Sequence, residues 1–254
     1  MVDRGLIFPF NEVIRECELM KTYAKHVLDR LTLGILDETK GTLENIQSRG
    51  PTDKTSRWEI REARPLRTIV SAGESQPDAK CKHHVWALFS FVWEIRPLDE
   101  GEWKGRKHFL LDGKASTLIS VMERHEETER CVARWTVDVG DHQSPGTHFH
   151  VQLNHFNEPP FPTTFDVPRL PALAMSPFLA MESAISELFQ DRWKKHSIAD
   201  NKDTRTWRAI HRPRLERFLH WQASRIHPKI VGSPWTALKT ARPAPDMLVA
   251  EVKA

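Results

Sequence analysis

A series of strand-like runs with no helix between them occupies the middle of this chain. His84–Ile95 is apolar on both faces for most of its length, which predicts a buried central strand. Cys131–Val139 and Thr147–Leu153 alternate apolar and polar residues, which predicts strands with one buried face. Because short turns join these runs, we expect an antiparallel sheet.

Two further segments extend this expected sheet. Trp58–Val70 has some strand character, and Ala115–Met122 is a second short run. The pair Asp112-Gly113 precedes that run and is typical of a type I′ hairpin turn, where both central residues need positive φ. The charged stretch Glu123–Arg130 is expected to form the exposed tip of another connection.

Helices are predicted at both ends of the sequence. Apolar residues step by three and four along Val13–Leu31, which predicts a helix from Asn11 to about Leu33. That seam is expected to pack on the core, with a short homodimer contact through Val13–Leu31 as the alternative. A shorter helix is predicted over Thr39–Gln47.

The C-terminal helices have clearer boundaries. Ser176-Pro177 is a good helix start, with serine as the cap and proline at the first helical position, and this helix should run to about Trp193. A second helix is expected over Thr204–Ile226, interrupted or restarted near Pro213. The tail that begins at Thr240 is expected to be loosely held, although Met247–Val249 is apolar enough to dock as a short strand.

These elements predict an α+β fold with a central antiparallel sheet, an N-terminal helix, and C-terminal helices packed on or beside the sheet. With 254 residues, the chain suits a single domain. Its expected parts are an N-terminal helical part, a sheet core, a proline-rich arm, a basic helical part and a tail, over residues 1–50, 57–156, 157–176, 177–239 and 240–254.

Composition indicates an ordinary soluble protein, with 28% charged residues and a net charge of +3. No apolar run approaches the roughly 20 residues of a membrane span, and the first residues lack the pattern of a signal peptide. The three cysteines Cys17, Cys81 and Cys131 are far apart and odd in number. That argues against a disulfide framework and for a reducing compartment, so we expect a cytoplasmic protein without a membrane partner.

The candidate site is the histidine-rich strand that follows Ser144, where His148, His150 and Gln152 share one face. The simplest hairpin with the preceding strand pairs Asp138 with His148. It also pairs Thr136 with His150, and Arg134 with Gln152.

Three kinds of chemistry suit this face. An Asp138–His148 pair would act as a general base, and we take His148, His150 and Asp138 as the catalytic candidates. His148 and His150 would chelate a divalent metal such as zinc, with His155, His142 or Asp138 completing the site. Arg134 with the histidines would bind a phosphate or carboxylate, and Thr136, Gln152 and Arg169 of the proline-rich arm are further ligand-binding candidates. The alternative is a solvated face of a half-buried sheet.

The motif His148-Phe-His150-Val-Gln152 resembles the HxHxQ signature of the transferase branch of the histidine-triad superfamily. That branch includes hexose-1-phosphate uridylyltransferases and dinucleoside polyphosphate phosphorylases. The resemblance implies that His150 would attack a nucleotide α-phosphate and that Gln152 would steady the phosphoryl oxygens. It covers about five residues, and the elements predicted before the motif are hairpins.

The positive charge is concentrated near the C-terminus. Over Arg192–Lys229, many lysines and arginines are opposed only by Asp200, Asp203 and Glu216. Cations there interleave with aromatic residues, which is typical of phosphate-backbone binders, so Arg208, Arg212 and Trp221 are further ligand-binding candidates. An acidic protein partner, or a solvated helix face with its tryptophans packed inward, would give the same pattern.

These observations favour an intracellular binding or accessory protein that recognises a phosphate-bearing partner, nucleic acid or nucleotide. The histidine-rich face and the basic helices would be the binding surfaces. One alternative is a His- or metal-dependent phosphoester hydrolase or nucleotidyltransferase centred on His148 and His150. Another is a protein-interaction subunit of a larger complex. Whether the protein is an enzyme is left open by the sequence.

Overall fold

The computed structural model describes residues 5–52, 54–75, 83–99, 103–105, 107–125, 127–140, 147–153, 170–173, 176–226 and 232–249. It confirms the α+β fold and the antiparallel sheet. The strands are β1 (Leu6–Pro9), β2 (Ser56–Ile60), β3 (Leu66–Arg67), β4 (Val85–Leu98), β5 (His108–His125), β6 (Thr128–Val139), β7 (Phe149–Leu153) and β8 (Leu170–Pro171). The helices are α1 (Phe10–Tyr23), α2 (Gly34–Ser48), α3 (Pro177–Ser197), α4 (Lys202–Arg225) and α5 (Pro234–Thr240).

All pairings in the sheet are antiparallel. The strand order is β2-β4-β5-β6-β7-β8, while β1 pairs with β5 and β3 pairs with β4. The long strands β4 and β5 form its centre, as the apolar run His84–Ile95 predicts. One face of the sheet packs on the helices, and alternate side chains of β4, including Ala87, Phe89 and Phe91, point into that core.

Helix α3 begins as its sequence predicts. Ser176 Oγ accepts a hydrogen bond from the backbone N–H of Leu179, and Pro177 occupies the first turn. Phe178, Met181 and the other predicted apolar positions of α3 are buried against the sheet. Helix α4 differs from the expectation near Pro213, because it continues through the proline without a break.

The first helix is shorter than predicted, because α1 ends at Tyr23. The chain then turns, Leu28 forms a bridge with Thr68, and Ile69 N–H donates to the Val27 carbonyl. The apolar period extends beyond the helix because Val27 and Leu28 are buried in a different conformation. The Val13–Val27 part of the proposed dimer seam is buried in the chain's own core, and only Leu31 is exposed. This packing corrects the idea of a homodimer contact through Val13–Leu31.

The predicted hairpin turn at Asp112-Gly113 is wrong, because β5 runs straight through it. Trp93 pairs with Ala115, and Ile95 pairs with Leu111. The three residues 112–114 of β5 therefore lie opposite a single residue of β4, Glu94. Gly113 has φ 137, and Lys114 N–H donates to Glu94 Oε2 at 2.9 Å. The glycine supplies the positive φ of a bulge instead of a turn.

The described part of the C-terminal tail, which ends at Val249, is held more firmly than expected. Leu248 is buried in the main core, and Ile7 N–H donates to the Pro245 carbonyl at 2.8 Å. Arg217 Nη2 donates to the Leu248 carbonyl at 2.5 Å. Val249 packs on a second small apolar cluster with Ile7. Met247–Val249 therefore dock, as proposed, but in turn conformation and not as a strand.

Candidate ligand-binding face of the sheet

The sheet face opposite the helices carries two rows of mostly polar side chains that cross its strands. The strand pairings align Glu59, Val92, Ser116, Asp138 and His150 in the first row. They align Ser90, Leu118, Thr136 and Gln152 in the second row. Side chains that are directly opposite on neighbouring strands lie about 5 Å apart, so each row is continuous enough to contact one ligand.

The parts of these rows on β2, β4 and β5, together with Thr136 of β6, form the floor of a groove of about 870 Å³, which we call the sheet-face groove. Its lining comes from β2, β4, β5 and β6 and from the residues that directly follow β2. The lining residues are Arg57, Glu59, Ile60, Arg61, Glu62, Ser90, Phe91, Val92, Lys114, Ser116, Leu118, Arg134 and Thr136.

Ion pairs organise the charged residues of the groove. Arg57 Nε lies 2.7 Å from Glu59 Oε2, and Arg61 Nε donates to Glu59 Oε1 at 3.1 Å. Arg134 Nη2 donates to Glu62 Oε1 at 2.7 Å. Such partly exposed pairs contribute little to stability, but they hold long flexible side chains in defined positions.

The histidine strand adjoins this groove in a register that differs from the predicted one. Asp138 pairs with His150, and Thr136 pairs with Gln152. The strand has moved by two residues, which leaves every side chain on its predicted face, so alternation alone could not distinguish the two registers. Gly140 N–H donates to the His148 carbonyl, so the contact between the two strands continues one residue beyond Val139.

Asp138 and His150 nevertheless lie close together. Thr136 Oγ1 donates to Asp138 Oδ2 at 2.8 Å, and His150 Nε2 lies 3.7 Å from the same oxygen. His150 Nδ1 is 2.9 Å from the Thr147 carbonyl oxygen, a geometry in which Nδ1 carries a proton. His150 is therefore a fixed neighbour of the Asp138 carboxylate.

Both candidate histidines are buried. His148 is 3% exposed and packs edge-on against Phe149, and His150 is 4% exposed. A catalytic base or nucleophile must touch its substrate, so this burial does not favour a direct role for either imidazole. Of the predicted site residues, Arg134 and Thr136 line the groove, and Asp138, Gln152 and His150 continue its rows.

The remaining metal and ligand candidates are not brought into this groove. His155 and Arg169 lie outside the described residues. Within the described ranges, no three histidine, cysteine or acidic side chains are grouped to hold a metal ion. The zinc site predicted from His148, His150 and His155 therefore stays a prediction.

The basic helix candidates lie on the other side of the sheet. Trp221 packs against Phe149, whose neighbour His150 belongs to the opposite face, so the two sets cannot form one small-ligand site. Arg208 lies 3.8 Å from Asp200, and Arg212 Nε donates to Glu216 at 2.8 Å.

Two aromatic or basic residues of that region are internal. Trp207 is buried, and its Nε1 donates to Glu182 Oε2 at 2.7 Å. Arg214 is 2% exposed and pairs with Glu12 and Glu16 of α1. Helix α4 therefore offers a nucleic acid fewer exposed cations and aromatic stacking surfaces than its composition suggests.

Sequence reasoning missed the β2 side of the groove. Arg57-Trp58-Glu59-Ile60-Arg61 alternates charged and apolar residues, and Trp58 and Ile60 are buried beneath the sheet. That alternation was the signal for a charged open face. Ser90 is a polar residue within the mostly apolar run His84–Ile95, and it lies on the same open face of the sheet.

No protein family, curated protein or solved structure matches this chain in the comparisons. The HxHxQ resemblance therefore stands on its five residues, and the function must be argued from the groove itself. None of the helices in the described ranges combines the length and apolarity of a transmembrane span.

Proposed function

We propose that this protein binds a phosphate-bearing ligand of nucleotide size in the sheet-face groove. The observation that carries the proposal is the pattern of charge around the groove. Four cationic side chains line it, with Glu59 and Glu62 as the acidic lining residues. Arginine binds phosphate through paired N–H donors, and a cleft lined by an excess of one charge concentrates ligands of the opposite charge. The cations are Arg57, Arg61, Lys114 and Arg134.

The floor suits the remainder of a nucleotide. Ser90, Ser116 and Thr136 provide hydroxyl groups that both donate and accept hydrogen bonds. Val92 and Leu118 are half-buried beside them and offer an apolar surface to the flat face of a base. A few convergent polar groups around an apolar patch are typical of small-ligand sites.

Binding is better supported than catalysis. The buried imidazoles of His148 and His150 lie beside the groove and do not line it. The phosphoester hydrolase or nucleotidyltransferase alternative therefore needs a rearrangement of β7 that exposes His150. It predicts nucleotide turnover that disappears in a His150→Ala variant.

Nucleic acid remains the second candidate ligand. The exposed side chains of Arg208 and Arg212 support it, although each lies within 4 Å of a carboxylate. A nucleic-acid backbone bound there would show affinity that falls steeply with salt concentration and depends little on the groove.

Calorimetric titration with AMP, ATP and a twelve-nucleotide single strand tests the proposal. Leu118→Trp should fill the groove floor and weaken nucleotide binding at least about tenfold, about 1.4 kcal/mol. Leu219→Trp, at an exposed position of α4, is the matched control and should bind as the wild type does. Absence of nucleotide binding at low salt, or equal binding by Leu118→Trp, would contradict the proposal.

A further inference from the structure

One carboxylate on β2 holds two arginines by the same atom of each guanidinium group. The two oxygens of Glu59 contact Arg57 Nε and Arg61 Nε, at 2.7 and 3.1 Å. The side chain of Glu59 is 21% exposed, against 64% for Arg57 and 80% for Arg61. The carboxylate therefore lies beneath its two arginines, and their guanidinium groups face the solvent.

The terminal nitrogens of these arginines have no hydrogen bond to any described residue outside this trio. A guanidinium group presents five N–H donors in a rigid fork, and its two terminal nitrogens are the pair that binds phosphate. The Nε contacts with Glu59 thus fix each arginine while leaving its phosphate-binding end available.

Arg64 provides an internal comparison. Its two terminal nitrogens donate to the two oxygens of Glu38, at 2.7 and 2.9 Å. This bidentate pair occupies the end of the side chain that would contact a phosphate. Arg64 has the same charge and is similarly exposed, at 65%, but its fork is already used.

The position of Arg57 and Arg61 also matters. Both line the sheet-face groove and a second groove of about 440 Å³ between α2 and β2. They therefore form the rim between the two grooves. One end of a ligand bound in the sheet-face groove would lie at this rim. Arg134 is placed differently, because its Nη2 is bound to Glu62 and its side chain is 31% exposed.

We propose that Arg57 and Arg61 form an arginine clamp for a terminal phosphomonoester of the ligand, and that Glu59 is the positioning residue of the clamp. This inference rests on the function proposed above. A phosphomonoester carries a charge of about −1.5 to −2 at pH 7 and three acceptor oxygens, so it can engage two forks at once. A cyclic phosphodiester has one negative charge and two such oxygens, and it should bind the clamp less well.

Calorimetric titration with AMP, adenosine 3′,5′-cyclic monophosphate and adenosine separates these contributions. The wild type should bind AMP at least about tenfold more tightly than the cyclic diester. In the Arg57→Ala/Arg61→Ala variant, AMP affinity should fall to that of the diester, and adenosine affinity should stay unchanged. Arg64→Ala is the matched control and should retain the AMP preference.

The positioning role is tested by Glu59→Asp. This change keeps the negative charge but shortens the side chain, so that one carboxylate no longer reaches both Nε atoms. We expect the AMP preference over the diester to fall several-fold without loss of adenosine binding. An unchanged preference would overturn the positioning role of Glu59, whatever the result for the arginines.

The possible failures are distinguishable. If AMP binds, Leu118→Trp prevents binding and the double arginine variant does not change it, the clamp is wrong and the groove function stands. If Arg64→Ala lowers AMP affinity as much as the double variant does, the effect is one of net charge and the clamp is overturned. If the wild type binds none of the three ligands, both proposals fail.

Discussion

At the scale of single residues, the buried Glu16 carboxylate joins three helices. Arg214 of α4 pairs with it, Ser176 Oγ at the start of α3 donates to it at 2.7 Å, and His211 Nε2 lies 3.7 Å away. Burial alone would raise the pKa of Glu16, but the Arg214 guanidinium, with His211 and Ser176, outweighs it and the pKa is lowered. The carboxylate is therefore charged, and the stability of the folded protein depends on the Arg214 guanidinium group that neutralises it.

Replacing Arg214 by alanine should leave Glu16 buried without its counter-charge. We expect the free energy of unfolding to fall by about 3–5 kcal/mol, as for other buried pairs that lose one partner. Urea unfolding would measure it. The control is Arg212→Ala two residues away, whose exposed pair with Glu216 should cost no more than about 0.5 kcal/mol. Similar losses in the two variants would show that the buried pair has no special role.

At the scale of elements, the bulge in β5 shapes one end of the groove. Gly113 adopts φ +137, and a Cβ atom there would clash with Glu94 Oε2. The same carboxylate accepts a hydrogen bond from the backbone N–H of Lys114. The side chain of Lys114 lines the groove. The bulge thus allows a strand of eighteen residues to remain paired while placing Lys114 at the rim.

Gly113→Ala should therefore strain the bulge and move Glu94. We expect a loss of about 1–3 kcal/mol in thermal or urea unfolding. Gly41→Ala should have the opposite sign, because Gly41 lies inside α2 with nothing within 4 Å of an added Cβ. Alanine there should stabilise the protein by about 0.5–1 kcal/mol. A destabilising Gly41→Ala together with a neutral Gly113→Ala would contradict this account of the two glycines.

At the scale of the whole molecule, several buried titratable groups between the helices couple stability to pH. Burial lowers the pKa of His211 from 6.5 to about 4. Between pH 6.5 and pH 4, His211 is protonated in the unfolded chain but neutral in the folded protein. The free energy of unfolding therefore falls as the pH decreases. Glu16 acts in the same sense at lower pH, whereas burial raises the pKa of Glu182 and opposes them.

We expect His211 to contribute about 2 kcal/mol to the loss of stability between pH 7 and pH 4.5. Urea unfolding at both pH values would measure that loss in the wild type and in His211→Gln, which cannot be protonated. The variant should lose about 2 kcal/mol less than the wild type over this interval. Equal losses would assign the acid sensitivity to other groups.

The patterns of apolar and polar residues are enough to predict the class of fold and the faces of the strands. Alternation places Trp135 and Val137 in the core and Arg134 and Thr136 on the opposite face, because side chains of a strand point alternately to its two sides. The spacing of apolar residues by three and four positions likewise identified the buried face of α3, and the Ser176-Pro177 pair located the start of this helix.

Strand register, the burial of individual side chains and the pairing of charges depend on the three-dimensional packing of the chain. A shift of two residues preserves every strand face, so the sequence could not choose between His148 and His150 as the neighbour of Asp138. Arg214 and Arg212 are alike in sequence terms, but one is buried beside Glu16 and the other is exposed, because helix packing selects the inward positions. The sheet-face groove joins Arg57 to Arg134 because β4 and β5 lie between β2 and β6, and that adjacency is a property of the folded sheet alone.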